Sequence, residues 1–312
     1  MISVVIPVFN RANTLMRCLQ SFEQQAFRPL ELILVDNNSQ DNSYQLCLDF
    51  QAKYQSDNFQ IKVLRETKAG ACAARNAGLR AAGGDYLYFF DSDDEVYPEM
   101  FPYLDALINA YPQKAMILMR SHLETAGKKR LHPKRCAVDA AQHLVDPLVV
   151  THSFLLRRKS LENIPLWNEE LSRWQDFDYA FKLLWLLRNE DILFADKALY
   201  LIHASKDSIS GFSYSKDAEA LENALASIER FIEENDADNE RLRAALAFRK
   251  VSLAALLLAE NTLAAQDLET WEAYAHQSIR AAAKKYRPLL RLHLAYSKRG
   301  GRGFWRIFSL FL

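Results

Sequence analysis

The sequence predicts an α/β fold in which helices flank a mostly parallel sheet and a helical extension follows toward the C-terminus. Short apolar runs alternate with helix-like segments from residue 1 to about residue 120. Polar clusters follow these runs directly, and the chain reads as almost wholly helical from residue 217 to residue 286. Apolar runs without polar alternation are typical of strands buried on both faces, as in parallel sheets that helices cover.

The elements of the first part of the chain follow one another in a regular order. The predicted strands cover residues 2–7, 31–35, 61–64, 86–90 and 116–119. The predicted helices cover residues 10–25, 44–54 and 71–82. Connections of this strand, helix, strand type are right-handed and place helices on both faces of one sheet.

Three of the predicted strands run directly into polar residues. Asn10, Asp36 and Asp91 each follow a strand of the N-terminal half. In an open sheet of this kind, ligands bind in the crevice outside the carboxyl ends of the strands. We therefore expect these three side chains to meet at one site.

Composition and charge limit the classes of protein to which the chain can belong. The chain has 312 residues, half of them hydrophobic, which suffices for a sizeable core and an appendage. Its net charge is zero, yet no Asp or Glu follows Glu272, so a basic tail balances an acidic body. Four scattered cysteines without a CxxC pair favour a reducing compartment, and no apolar run is long enough to span a membrane. We expect a cytoplasmic protein without a signal peptide.

The strongest chemical signal is the acidic cluster Asp91, Ser92, Asp93 and Asp94. Three carboxylates within four residues repel one another unless a cation or protons neutralise them. A hard divalent ion that takes one or two carboxylates, water and substrate phosphates meets this need. An isolated cluster of this kind is more often a solvated acidic turn, but its position at a strand end favours a binding site.

The order and spacing of four motifs resemble glycosyltransferase family 2, a large group with the Rossmann-like GT-A fold. The motifs are VVIPVFNR at Val4–Arg11, LILVDNNSQDNS at Leu32–Ser43, GACAARNAGLRAAGGDYLYFFDSDD at Gly70–Asp94, and WQDFDYAFK at Trp174–Lys182. The resemblance covers roughly residues 1 to 210. It implies an inverting transferase that moves a sugar from a nucleotide-diphosphate sugar to an acceptor hydroxyl.

The resemblance also implies which residues bind the donor. Asp91 and Asp93 resemble the family's DXD pair, which holds Mn²⁺ or Mg²⁺ and lies near the ribose; the ion offsets charge on the leaving diphosphate. The other residues implied to line the nucleotide-sugar site are Pro7, Val8, Phe9, Asn10, Arg11, Asp36, Asn37, Lys68, Arg75 and Ser92. Asn37 departs from the common family pattern, which has Asp there, and Asn10 and Asp36 also suit plain turn chemistry.

Inverting transfer needs a carboxylate that accepts the proton of the attacking hydroxyl. Asp176 resembles the second residue of the family's Glu-Asp pair, whereas Gln175 replaces the Glu. Lys182 and His203 stand where the family often has Arg. Asp176 is therefore the predicted base, and these departures bear on acceptor fit and phosphate contact.

The chain divides by pattern into two predicted regions. Residues 1–215 form the catalytic domain, with a nucleotide and metal half over about 1–120 and an acceptor half over about 121–215. Residues 216–312 form a helical region that ends in a basic, aromatic-rich tail. Such a tail suits an anionic membrane surface and a saccharide or lipid-linked acceptor in bacterial surface polysaccharide or lipopolysaccharide synthesis, or else packs back on the domain. No nucleic-acid recognition motif accompanies it.

Two other functions fit parts of the pattern. Nucleotidyltransferases that make sugar nucleotides share a similar fold, but IPVFNRANT at 6–14 lacks their Gly-rich basic loop. A catalytically degenerate domain that binds nucleotide sugars or acts as a scaffold remains the alternative. Its support consists of Gln175, Lys182 and His203.

Overall fold

The computed structural model describes residues 1–125, 127–132, 139–160, 164–203 and 217–260, together with Pro288, Arg291, Leu292 and Ala295. These residues fall into two compact units, each built from separate segments of the chain. The first unit comprises Met1–Ala137, Val149–Glu170 and Leu186–Ser205, and the second comprises Val138–Leu148, Leu171–Trp185 and Lys206–Leu312.

In its described residues, the first unit contains a nine-stranded sheet, four α-helices and three short 3-10 helices. The strands are β1 (Ile2–Val8), β2 (Leu30–Asp36), β3 (Phe59–Arg65), β4 (Tyr86–Phe89), β5 (Glu95–Val96), β6 (Met116–Thr125), β7 (Lys128–His132), β8 (Phe154–Arg157) and β9 (Ile192–His203). The α-helices are α1 (Leu15–Glu23), α2 (Ser43–Tyr54), α3 (Ala71–Ala81) and α4 (Met100–Ala110).

The sheet is parallel in its N-terminal half and mixed beyond it. Its strand order is β3-β2-β1-β4-β8-β6-β9-β5, with β7 paired to β6 off this path. The pairs among β1 to β4 are parallel, as predicted. Strand β8 pairs antiparallel with both β4 and β6, and β5 pairs antiparallel with β9. The α/β fold with flanking helices is thereby confirmed.

Burial on both faces explains why the N-terminal strands lack polar alternation. Val4, Val5 and Ile6 of β1 are all fully buried, and so is the whole of β2. Helix α3 lies so close to β1 that a Cβ atom at Gly78 would stand 2.3 Å from Val5 Cγ1. Only glycine fits there, and this close approach brings the polar residues of α3 to the sheet edge.

The second unit contains the helices α5 (Ala140–Val145), α6 (Gln175–Leu186), α7 (Ala218–Asn235) and α8 (Glu240–Glu260). Helix α5 packs on α8, and α7 also contacts α8. Helices α7 and α8 lie within the stretch that the sequence predicts to be helical, residues 217–286. Most of the basic tail and the segment 204–216 lie outside the described residues.

Two further expectations concern cysteines and membranes. Among the described cysteines, Cys18, Cys47 and Cys72 are buried and form no disulfide, and Cys136 lies outside the described residues. Of the helices that the structure describes, none combines the length and apolar character needed to cross a bilayer.

Candidate active site

The carboxyl ends of β1, β2 and β3 lie side by side at one edge of the sheet. In the register of the parallel pairs, Val8 stands opposite Asp36, and Asp36 stands opposite Arg65. Strand β4 ends three residues earlier in this row, with Phe89 opposite Val5, and the Phe90 amide donates to Val5 O at 3.0 Å. Asp91 follows at once. The predicted convergence of three strand ends is therefore present.

The loop after β1 is held in an unusual backbone conformation. Asn10 has φ of 51°, in the left-handed region that asparagine tolerates better than most residues. Its Oδ1 accepts from the Gln40 amide at 2.7 Å, while its own amide donates to Ser39 Oγ at 3.1 Å. Val8 is buried, and Pro7 is partly buried. Phe9, by contrast, is 53% exposed at the strand end, where its ring is free to cover a flat ligand.

Asp36 is a buried carboxylate whose oxygens are incompletely used. Its side chain is only 2% exposed, and Arg65 Nε approaches Oδ2 no closer than 3.9 Å. Oδ1 has no hydrogen-bond partner within the described part of the chain. Arg65 itself lies over the ring of Tyr44 at 3.8 Å. A buried acceptor in this state is costly unless a ligand supplies the missing donor.

Asn37 is committed to shaping the next loop. Its Nδ2 donates to Glu66 O at 2.8 Å and to Lys68 O at 2.7 Å, and its Oδ1 accepts from the Gly70 amide at 2.7 Å. Both amide hydrogens are thus used, which an aspartate could not provide. The departure from the family pattern at Asn37 has this local structural reason.

Arg75 links the acidic cluster to a tryptophan. It is buried in α3, its Nη2 lies 2.9 Å from Asp91 Oδ1, and its guanidinium lies over the Trp167 ring at 4.5 Å. Lys68, also predicted to line the nucleotide-sugar site, is exposed and pairs with Glu169 Oε2 at 2.7 Å. Arg75 therefore lies at the acidic cluster, whereas the Lys68 ammonium is held at Glu169.

The turn of residues 91–94, called the acidic turn below, contacts the buried side chain of His152. His152 Nε2 lies 3.3 Å from Asp91 Oδ2 and 3.1 Å from Asp94 Oδ2. The other Asp94 oxygen, Oδ1, accepts from the His203 amide at 2.8 Å. Asp91 Oδ1 is thus paired with Arg75 and Asp94 Oδ1 with the His203 amide, whereas the two Oδ2 atoms approach His152 Nε2 without hydrogen-bond geometry. Ser92 is buried, and its carbonyl faces Thr14 Oγ1 at 3.4 Å.

The negative charge of Asp93 has fewer close partners than the charges of Asp91 and Asp94. Its Oδ2 lies 3.4 Å from Arg11 Nε, and both side chains are partly exposed. Burial and the charges of Asp91 and Asp94 raise the pKa of Asp93 above its ordinary value. For Asp91, burial alone would raise the pKa, but His152 and Arg75 outweigh it and lower the pKa. An incoming cation would therefore relieve the most repulsion at Asp93.

Sequence reasoning passed over His152, since no neighbouring motif marks it. Burial opposes charge on its ring, yet the carboxylates of Asp91 and Asp94 raise its pKa. Arg17 was also missed; its Nη2 donates to Asp93 O at 2.6 Å and its Nε pairs with Glu95. Arg17 lies on α1 one turn after Thr14, so helical spacing was a usable signal.

His203 lies beside the acidic turn at the end of β9. Its Nε2 is 2.6 Å from Glu95 Oε1, and its Nδ1 is 3.2 Å from Glu124 Oε2. Both ring nitrogens are thus occupied by carboxylates of the first unit.

The predicted base lies in the second unit, where it is considered by itself. Asp176 is partly exposed in the first turn of α6, and its Oδ1 accepts from the Phe177 amide at 2.9 Å. Trp174, just before the helix, has φ of 52°, which is strained for a bulky residue. Lys182 Nζ pairs with the buried Asp178 Oδ2 at 2.7 Å, so this departure from the family has a structural partner.

Comparison with known families identifies the chain. The profile of glycosyl transferase family 2 matches residues 3–164, just over half of the sequence. The chain belongs to this family. Its membership explains the sheet edge, the acidic turn and the loop after β1 as parts of one glycosyltransferase domain.

Curated relatives carry the same assignment over shorter stretches. The chain is 39% identical over 101 residues to the uncharacterized glycosyltransferase YibD of Escherichia coli (strain K12), covering 32% of this chain and 28% of that protein. It is 24% identical over 226 residues to the uncharacterized glycosyltransferase EpsJ of Bacillus subtilis (strain 168), covering 69% and 64%. The matched part spans less than a third of YibD.

Solved structures share the fold. TarS 1–349 of S. aureus in complex with UDP matches with a TM-score of 0.65 at 18% identity, covering 96% of this chain and 91% of that one. The mannosyltransferase PcManGT of Pyrobaculum calidifontis, in complex with GDP-Man and Mn²⁺, matches with a TM-score of 0.56 at 16% identity, covering 95% and 86%. The GT-A fold of this family member is thus confirmed.

Proposed function

We propose that this glycosyltransferase is an inverting enzyme that moves a sugar from a nucleotide-diphosphate sugar to an acceptor hydroxyl. The observation that carries the donor class is Asp36, a buried carboxylate with an unpartnered oxygen at the carboxyl end of β2. A nucleobase N–H or a ribose hydroxyl is the donor that this oxygen lacks. The exposed ring of Phe9 at the same edge would cover the flat base.

The acidic turn suits a divalent ion that arrives with the diphosphate. Within the described ranges, no cluster of three or more His, Cys, Asp or Glu side chains is arranged to hold a metal by itself. Mg²⁺ and similar ions need only one or two carboxylates when substrate phosphates and water complete the shell. Asp93 would hold Mn²⁺ or Mg²⁺, with Asp91 at the nucleotide, and the ion would offset charge on the leaving diphosphate.

The cations of the first unit would face the rest of the donor. Arg11 lies next to Asp93, and Arg75 lies next to Asp91, so both are placed to meet the diphosphate. Asp176 would accept the proton of the acceptor hydroxyl, since it is a partly exposed carboxylate at a strained helix start.

The acceptor is proposed from the sequence of the tail. A saccharide or lipid-linked saccharide of bacterial surface polysaccharide or lipopolysaccharide suits a chain whose last residues are basic and aromatic. The relatives add the donor class: TarS structures carry UDP and UDP-GlcNAc, and PcManGT carries GDP-Man.

Titration calorimetry with UDP and GDP, with and without Mn²⁺, tests the donor site. We expect Mn²⁺ to strengthen binding of one of the two nucleotides. Asp36→Ala is expected to weaken that binding about tenfold or more, because a hydrogen bond to a charged group contributes about 1.5–3 kcal/mol. Asp93→Asn is expected to remove the Mn²⁺ effect while metal-free binding stays.

Asp49→Asn is the matched control, because Asp49 is an exposed carboxylate of α2 whose side chain contacts Gln45. It should bind as the wild type does. A wild-type chain that binds neither nucleotide in either condition contradicts the proposed donor site.

A further inference from the structure

The carboxylates of the acidic turn have different partners, and His152 approaches two of them. Asp91 Oδ2 and Asp94 Oδ2 both approach His152 Nε2, at 3.3 Å and 3.1 Å. Neither contact has the geometry of a hydrogen bond, so they are close approaches of an ion pair. A carboxylate oxygen of an ionised Asp can only accept, so a hydrogen on Nε2 makes both approaches favourable. Without the imidazole, the charges of Asp91 and Asp94 would lose their common partner.

The imidazole ring is fixed in this position from several sides. It stacks on Tyr200 with ring centroids 5.6 Å apart at 27°, and it meets the edge of Phe90 at 4.8 Å and 83°. Its backbone carbonyl accepts from Tyr88 Oη at 3.1 Å. The side chain is only 6% exposed, so the ring has no solvent position to turn toward. This packing holds the ring, and with it Nε2, in one orientation.

We infer that His152 is a positioning residue of the donor site, which holds Asp91 and Asp94 in place so that Asp93 is the carboxylate left for a divalent cation. The inference rests on the proposed function. It assigns the three carboxylates different roles from their contacts: Asp91 and Asp94 each pair through Oδ1 and approach His152 through Oδ2, whereas Asp93 is paired through Oδ2 with the partly exposed Arg11. An exposed pair of that kind contributes little and is readily exchanged for a metal ion.

Partners that orient a ligating group, without touching the metal, typically change metal affinity about 10- to 100-fold when removed. His152 would be an orienting partner of this kind for the acidic turn. Removing its Nε2–H leaves Asp91 and Asp94 to repel each other, and the turn then presents Asp93 in a different orientation. The loss should appear in the metal-dependent part of nucleotide binding.

The test measures UDP and GDP affinity with and without Mn²⁺ for His152→Phe and His152→Gln. We expect His152→Phe to reduce the strengthening by Mn²⁺ about 10- to 100-fold while metal-free affinity stays near the wild-type value. His152→Gln is expected to restore most of the strengthening, because its amide can donate to a carboxylate. Tyr200→Phe is the matched control: it keeps the stacked ring and should leave the Mn²⁺ effect unchanged.

The other possible results either overturn the role of His152 alone or overturn the proposed function with it. Wild-type Mn²⁺ strengthening in His152→Phe overturns the role of His152 alone. Parallel loss of metal-free binding, metal-dependent binding and melting temperature in both His152 variants assigns the residue to packing and also overturns it. If His152→Phe does not fold, Asp94→Ala takes its place, and unchanged Mn²⁺ strengthening there has the same meaning. A wild-type chain without nucleotide binding overturns the proposed function and this inference together.

Discussion

The acidic turn of the first unit and the start of α6 in the second unit each carry two aspartates at i and i+2, and the two pairs end up in opposite arrangements. In the turn, Asp91 and Asp93 lie in one charge cluster, and the charge of Asp91 adds to burial in raising the pKa of Asp93. In the helix, Asp178 is fully buried against Lys182 and Ser227, while Asp176 stays partly exposed. The same spacing therefore gives a shared site in one region and two separate environments in the other.

Backbone geometry accounts for the difference. Residues at i and i+2 of a helix point about 200° apart, so one faces the core when the other faces solvent. A turn after a strand has no such constraint, and its carboxylates can converge. A D-x-D pair can therefore bring its two carboxylates together where the backbone is not helical, whereas a helix separates them.

The two buried histidines repeat the contrast. His152 lies between two carboxylates, which raise its pKa. His143 of α5 packs on the Phe177 ring with centroids 5.2 Å apart, and burial, with Arg249 adding to it, lowers its pKa to about 3. Burial opposes the charged form in both, and the sign of the neighbouring charge decides the outcome.

The largest expected effect is on the rate of sugar transfer, and it concerns Asp176. Asp176→Asn removes the proposed base, and turnover should fall about 100- to 10 000-fold, the usual contribution of general base catalysis. Donor binding, measured by calorimetry, should stay near the wild-type value because no donor contact is removed.

Asp238→Asn, an exposed aspartate in the turn before α8, is the control for that variant. Unchanged transfer in Asp176→Asn would refute the base assignment. Wild-type protein that binds nucleotide but neither hydrolyses nor transfers any donor would favour the alternative of a degenerate binding domain.

The next effect concerns stability at Asp178. Lys182→Met leaves a buried carboxylate without its counter-charge and is expected to lower the free energy of unfolding by about 3 kcal/mol. Adding Asp178→Asn should recover most of this loss, since the neutral amide can still accept from Ser227. Urea denaturation followed by circular dichroism measures both variants. A double variant as unstable as Lys182→Met would contradict the charge explanation.

The smallest effect is a pH dependence at His143. Its folded-state pKa lies below the ordinary value, so the unfolded chain binds the proton first and stability falls as pH drops from about 6.5 toward 3. Between pH 7 and pH 5 this group alone costs about 2 kcal/mol. His143→Phe should therefore lose about 2 kcal/mol less than the wild type over that interval in denaturant titrations.

Tyr179→Phe removes another buried polar group of the second unit but none that titrates between pH 5 and pH 7, so it should follow the wild type. Equal pH slopes for the wild type and His143→Phe would show that the imidazole does not contribute.

Local pattern was enough to predict the sheet edge. Strands β1 to β4 can be predicted from short stretches of sequence, and Asn10, Asp36 and Asp91 follow the ends of those stretches. The contacts of His152 with Asp91 and the pairing of Lys68 with Glu169 join residues far apart in the chain, so no local signal marks them. Strand β9 and the antiparallel pairs of β8 were missed for the same reason, because pairing direction is a property of the assembled sheet.

The interleaving of the second unit has a consequence for synthesis. Helix α6 carries the proposed base, yet Asp178 in its first turns finds Ser227 only on α7, and Phe177 and Trp174 meet Arg249 only on α8. During synthesis, the last strand of the sheet, β9, is therefore made before Ser227 and Arg249. Under the proposed function, the residues proposed to bind the donor would be in place before the proposed base has its packing partners.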